Sequence, residues 1–288
     1  MFTKRPLWAA LTVLVVLALS LSLSPVRAWA SDLLGLFRVD RITVVSFDPD
    51  AAEGSRERLE ANEAAIEALM EDVTIDESGD VEEVNSAEDA ADRAGFAPRL
   101  PSAMEGANLA VKPQALARYT LDQPKLQALF DALGVDVQIP EAVDGQDVTV
   151  QVPAMVIAAQ GCKPTDPRRS LPEDCTGLMQ LPSPTVDAPE GLDMQAMGAA
   201  MLQFLGLSPD EAEQLSQRID WTTTLVVPVP QGEGISYQDV SVDGVTGTLL
   251  REDDEERYMV MWAKEGMLYV LNGTGSNEEA LQIANSLP

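Results

Sequence analysis

Residues 221–288 read WTTTLVVPVP (221–230), ISYQDVSVDGVTGTLL (235–250), RYMVMWAKEGMLYVLNGTG (257–275) and SNEEALQIANSLP (276–288). The first three pieces are rich in β-branched and aromatic residues and broken by Asp-Gly and Glu-Gly. They predict strands in succession, followed by one short closing helix. Asp243-Gly244 suits a two-residue hairpin turn, because both turn positions need positive φ. That turn sets Val242 opposite Val245 and Gln238 opposite Leu249. Glu265-Gly266 does the same job and sets Trp262 opposite Tyr269 and Val260 opposite Leu271. Cross-strand aromatic pairs of this kind add about 0.2–1 kcal/mol each. Tyr258, Val260 and Trp262 line one face of the last hairpin; Met259, Met261 and Ala263 line the other. A strand apolar on both faces is buried on both. The sheet is therefore expected to carry a helix on one face and to be closed or curled over on the other. Ser276 and Glu279 form a capping box for the closing helix, and Leu281, Ile283, Ala284 and Leu287 form its apolar stripe.

The same punctuation extends upstream. Val39 to Phe47 predicts a strand, and residues 51–71 a helix with Leu59, Ala64, Ile66, Leu69 and Met70 as apolar positions. Residues 72–85 are acidic and poor in apolar groups, which predicts a loop. Ser86 and Gly95 bracket a short helix, and the prolines at 98 and 101 require extended chain after it. Strands are expected near Asn108–Val111 and Ala115–Leu121. Asp122, Pro124 and Gly134 delimit a helix whose Leu126, Leu129, Phe130 and Leu133 read as core. Strands resume at Val135–Ile139, Asp147–Val152 and Met155–Gln160. Residues 192–206 predict a helix rich in methionine (Met194, Met197, Met201), and Ser208-Pro209-Asp210-Glu211 opens another. Asn272-Gly-Thr274 matches a glycosylation acceptor but reads as a turn into the last helix. Trp221 and Trp262 read as core.

Composition narrows the chemistry. The chain has 288 residues, no histidine, two cysteines, and 47 acidic against 19 basic residues, for a net charge of −28. So acidic a surface argues against nucleic acid and anionic membrane surfaces as partners. The lack of histidine removes imidazole bases, histidine triads and histidine metal sites. Two cysteines fall short of a zinc set. No phosphate loop, nucleophile elbow or calcium-loop spacing is present, and a pair such as Asp239 and Asp243 is commonplace among so many acids. No catalytic, cofactor-binding or metal-binding residue is expected.

Lys4 and Arg5 precede an apolar run from Leu7 to Leu23, and Ala28-Trp29-Ala30 comes next. This is the layout of an export signal with cleavage after Ala30; uncleaved, the same run would serve as a membrane anchor. Either way the remainder is expected to be extracytoplasmic, touching a membrane only through this segment. In an exported chain, Cys162 and Cys175 bracketing a loop read as a disulfide, which stabilises by roughly 3 kcal/mol in the chain-entropy model. The expected organisation is a signal peptide or signal anchor over 1–30, a strand-helix segment with an acidic loop over 31–85, and a main α+β domain over 86–288. Its fold class is α+β: a curved, half-barrel-like, largely antiparallel sheet with several short helices packed on it.

LLGLFRVDRITVVSFDP (33–49), AEDAADRAGFAPRLPS (87–102), IDWTTTLVVPVP (219–230), VDGVTGTLL (242–250) and MVMWAKEGMLYVLNG (259–273) resemble an uncharacterised bacterial extracytoplasmic domain. That domain is found in transmembrane anti-sigma-factor-like proteins and is distantly similar to lipoprotein-carrier and envelope-stress sensor folds. The resemblance implies a curved sheet with helices in its concavity and carries over no functional residue. Such anti-sigma factors place a cytoplasmic zinc-binding domain ahead of the span, whereas only Met1–Pro6 precede the apolar run here. A regulator of this kind is expected to work through another chain. The functional expectation is a non-catalytic sensor or protein-interaction module of the cell envelope. The alternative is a carrier holding an apolar, lipid-like ligand between the curved sheet and helices such as Met194–Leu205.

Overall fold

A computed structural model describes residues 39–70, 73–77, 79–164, 172, 174–232, 234–252 and 256–288. The export segment and Ala30 lie outside the described residues. The chain begins with β1 (Arg41–Phe47), α1 (Pro49–Ala61), α2 (Glu63–Met70), β2 (Val73–Glu77), β3 (Glu82–Val84) and α3 (Ala87–Ala94). It continues through β4 (Asn108–Lys112), β5 (Ala115–Thr120), α4 (Gln123–Leu133), β6 (Asp147–Val152) and β7 (Met155–Gln160). Then come β8 (Thr176–Pro182), β9 (Thr185–Asp187), α5 (Met194–Phe204), α6 (Pro209–Ser216) and β10 (Thr224–Pro230). The last elements are β11 (Ile235–Val242), β12 (Val245–Glu252), β13 (Arg257–Lys264), β14 (Met267–Thr274) and α7 (Asn277–Ala284). The fold is α+β, mostly antiparallel, and no sheet closes into a barrel.

The largest sheet has eight strands in the order β11-β12-β13-β14-β8-β7-β4-β3. Both C-terminal hairpins have the registers their turns dictate, with Val242 opposite Val245 and Trp262 opposite Tyr269. Asp243, Gly244, Glu265 and Gly266 all take positive φ. The front face carries Val260, Trp262, Leu271, Leu178 and Val156 into a core closed by Ala280 and Ala284 of α7 and Ala90 of α3. The predicted capping box at Ser276 and Glu279 is formed.

The rear face is covered in part by a two-stranded parallel ribbon of β1 and β10, in register from Arg41 opposite Thr224 to Phe47 opposite Pro230. Val39, Ile42 and Leu225 pack there on Leu181, Ala263 and Leu268. WTTTLVVPVP thus leaves the sheet its neighbours build. Pro228 and Pro230 lack N–H donors and could not serve a strand paired on both sides.

A third sheet, β2-β5-β6-β9, packs Val148, Val150 and Val186 against Leu126, Phe130 and Leu133 of α4. Helix α5 lies between this core and the ribbon. Met197 and Ala200 join the former, while Met194, Met201 and Leu202 join Val45, Val226 and Trp221.

Four expectations need correction. The acidic stretch 72–85 contributes β2 and β3, each an edge strand. Charge on an edge is compatible with pairing on the other side, so low apolar content misled. Residues 135–139 form no strand, although Val135, Val137 and Ile139 alternate into the core. The expected helix over 51–71 is interrupted at Asn62, whose side chain donates to the Arg58 carbonyl at 2.8 Å; asparagine competes for backbone in this way. Asn272 to Thr274 belong to β14 and not to a turn.

Candidate functional site

The hairpin tip at Asp243 is locked by charge. The Asp243 side chain is only 8% exposed and sits between two cations. Arg99, from the extended segment after α3, donates to both carboxylate oxygens, with its Nη2 3.0 Å from Oδ1. Lys264, at the end of β13, donates to Oδ1 and to the Asp243 carbonyl, each at 2.8 Å. The Asp243 N–H donates to Asn285 Oδ1 at 2.8 Å, and Arg99 Nε donates to the Pro288 carbonyl at 2.9 Å. Burial pushes the Asp243 carboxyl up, but the hydrogen bonds from Arg99 and Lys264 outweigh it and hold the carboxyl below its usual range. The same carboxylate raises the Arg99 pKa. Every charge here is committed to a neighbour, so the corner works as a clasp joining hairpin, linker and C-terminus.

Beneath the clasp, the Arg99 guanidinium lies 5.8 Å from the Tyr269 ring centroid, and Tyr269 stacks on Trp262 at 5.0 Å. Gln180 of β8, 1% exposed, accepts from the Arg99 N–H at 2.9 Å and donates to its carbonyl at 2.8 Å. A side-chain amide thus replaces a strand partner for the proline-flanked segment. Gln127 of α4 does the same for residues 137–139, accepting from the Ile139 N–H and donating to the Val137 carbonyl.

The clasp fixes the strand at the open end of the sheet. β11 has eight residues, the longest of the edge strands among the described residues, and Asp239 is its one charged residue. The other edge of this sheet, β3, has three residues, of which Glu82 and Glu83 carry charge; β9 also has three. Short, charged edges resist pairing with other chains. β11 lacks that protection. A two-residue turn closes on a hydrogen-bonded pair, so Val242 exchanges bonds with Val245, and alternation turns the N–H and C=O of Ser241, Asp239 and Tyr237 outward. These groups make no backbone hydrogen bond to a described residue.

On the rear face, beyond the β1–β10 ribbon, registers align Tyr237, Leu250, Met259 and Asn272 in one row across four strands. Tyr237 is 44% and Met259 37% exposed. Asn272 Oδ1 is buried beside them with no hydrogen-bond donor among the described residues. Exposed large apolar side chains are otherwise limited, among the described residues, to Ile75 on β2.

Apart from Ala30 and the export segment, the residues singled out in the sequence fall within the described residues. Cys162 and Cys175 are bonded, with Cα atoms 5.4 Å apart, and Asn108 Nδ2 donates to the Cys162 carbonyl at 2.8 Å. Asp239 and Asp243 share no role: one is exposed on the open edge and the other is held in the clasp. Trp221 and Trp262 are core, at 4% and 0% exposure. The methionines of α5 are buried against protein side chains. Two clefts, of about 430 Å3 beside Leu100–Leu109 and about 500 Å3 between Phe47 and α6, mark the surface elsewhere. Arg99, Lys264, Gln180 and the outer side of β11 were not anticipated. For the edge a signal existed, since ISYQDVSV alternates with a tyrosine on the polar side. Among the described residues no helix is long and apolar enough to cross a membrane, and no group of acids and cysteines is arranged to hold a metal.

The C-terminal part of the chain, residues 230–287, matches a family described as a domain of unknown function, DUF4367. The matched stretch is β11–β14 with α7, so it includes the open edge, the exposed row, and Asp243 and Lys264 of the clasp. It is narrower than the stretch over which the sequence resemblance extends. No curated protein and no solved structure matches the chain.

Proposed function

We propose that this protein is a non-catalytic, extracytoplasmic module of the bacterial cell envelope that holds a partner protein along β11. One observation carries the reading: the longest edge strand among the described residues carries a single charge, and Tyr237 and Met259 are exposed on the face beside it. A sheet edge with unpaired backbone groups and apolar side chains is a surface for pairing with another chain. The Cys162–Cys175 bond is compatible with an oxidising compartment, and the leader sequence supports export. The resemblance to extracytoplasmic domains of anti-sigma-factor-like proteins favours a regulatory setting in which this chain acts through a second one.

The test is photocrosslinking in intact cells, with a photoreactive amino acid at Tyr237 and, as control, at Glu105. Repeated capture of one envelope protein from position 237 and not from 105 is the expected outcome. Equal capture from both positions, or from neither, removes the reading. Fractionation with N-terminal sequencing of the product establishes the compartment in the same cells.

A further inference from the structure

The geometry points to the partner's chemistry: an extended segment that adds to β11 as a ninth strand and carries an apolar and a basic residue two positions apart. This inference rests on the partner-holding reading above. β11 presents the N–H and C=O of Ile235, Tyr237, Asp239 and Ser241 on its outer side, which an incoming strand can bond without disturbing the ladder to β12. The side chains of these same residues lie on the rear face. Residues of an added strand that bond directly to them stand opposite them on that face. An apolar side chain opposite Tyr237 would continue the row through Leu250 and Met259. A basic side chain two residues away would stand opposite Asp239, which is exposed and has no cation of its own among the described residues.

Charge selects among occupants. The chain carries −28, and Asp239 is the one charge on the edge. A second copy pairing through β11 about a two-fold axis would bring Asp239 near its own image and add two strongly acidic bodies together. An anionic bilayer meets the same repulsion. A basic, alternating strand meets attraction in both terms.

The experiment uses the 15N-labelled full chain and two capped peptides of about eight residues. In both, Thr occupies alternate positions; Val and Lys occupy those facing Tyr237 and Asp239 in one, and Val and Glu in the other. The Lys peptide is expected to shift amide signals of β11 and to bind roughly tenfold more tightly than the Glu peptide. Asp239→Lys should invert that preference. Ser241→Pro, which removes one outward donor and spares the ladder to β12, should abolish binding with signals of β3 and β4 unchanged. If Ser241→Pro disturbs the fold, the Asp239→Lys inversion alone decides. Equal binding of both peptides, or no shift on β11, overturns the inference; if Tyr237 still crosslinks one envelope protein, the partner-holding reading survives. A dimer in sedimentation that Ser241→Pro dissolves, or anionic vesicles that broaden or shift the β11 amide signals with no peptide present, also overturns it.

Discussion

Lys264 Nζ donates to both the backbone carbonyl and the carboxylate of Asp243, at 2.8 Å each. The turn geometry and the ion pair therefore share one residue. Asparagine tolerates the positive φ of Asp243 at least as well as aspartate, so Asp243→Asn removes the charge with little turn strain. The half-buried Arg99 and Lys264 lose their carboxylate, and a loss of about 1–3 kcal/mol is expected in urea unfolding.

The same pair sets a pH dependence. The folded carboxyl lies below the unfolded one, so its contribution is complete above the unfolded value and is lost as pH falls through the folded one. The stability difference between wild type and Asp243→Asn should stay constant above pH of about 5 and shrink below about 4. A difference that grows on acidification would contradict the clasp.

Gly198 in α5 lies directly under the Trp221 indole, where an added Cβ would overlap the ring. Alanine raises helix propensity by up to about 1 kcal/mol, whereas overpacking costs about 1–3 kcal/mol. Trp221 is held by bonds from its Nε1 to Ser216 and cannot swing freely. Gly198→Ala should therefore destabilise the protein and shift its tryptophan fluorescence. A gain in stability would show that the contact yields.

Gln127→Ala leaves the Ile139 N–H and the Val137 carbonyl without partners. A cost of about 1–3 kcal/mol is expected, with faster amide exchange at Ile139. Gln127→Glu keeps the acceptor and loses the donor, so Ile139 should remain more protected than in the alanine variant.

Cys162 and Cys175 close a loop with a separation of 13 residues. Replacing both with serine should cost roughly 3 kcal/mol in the chain-entropy model. The wild type with reductant should unfold where the double variant does without it.

Local chemistry was legible wherever a residue's role depends on its immediate neighbours. Ser86 with Gly95, Asp122 with Gly134, and the boxes Ser208–Glu211 and Ser276–Glu279 cap the helices as read. Asp243-Gly244 and Glu265-Gly266 set both hairpin registers, because a two-residue turn fixes every later pair. Alternation of Val135, Val137 and Ile139 in the sequence fits the core positions they take. It could not tell whether their backbone met a strand or the amide of Gln127, since both leave the same side-chain pattern. The tertiary structure alone decided that β10 leaves its neighbours for β1, that β2 and β3 sit on sheet edges, and that Arg99 reaches Asp243 across 144 positions. It also decided that β11 has a partner strand on one side only among the described residues. Capping and turn energies act over a few residues and are written in them, whereas sheet edges and ion pairs depend on which distant segments the chain brings together.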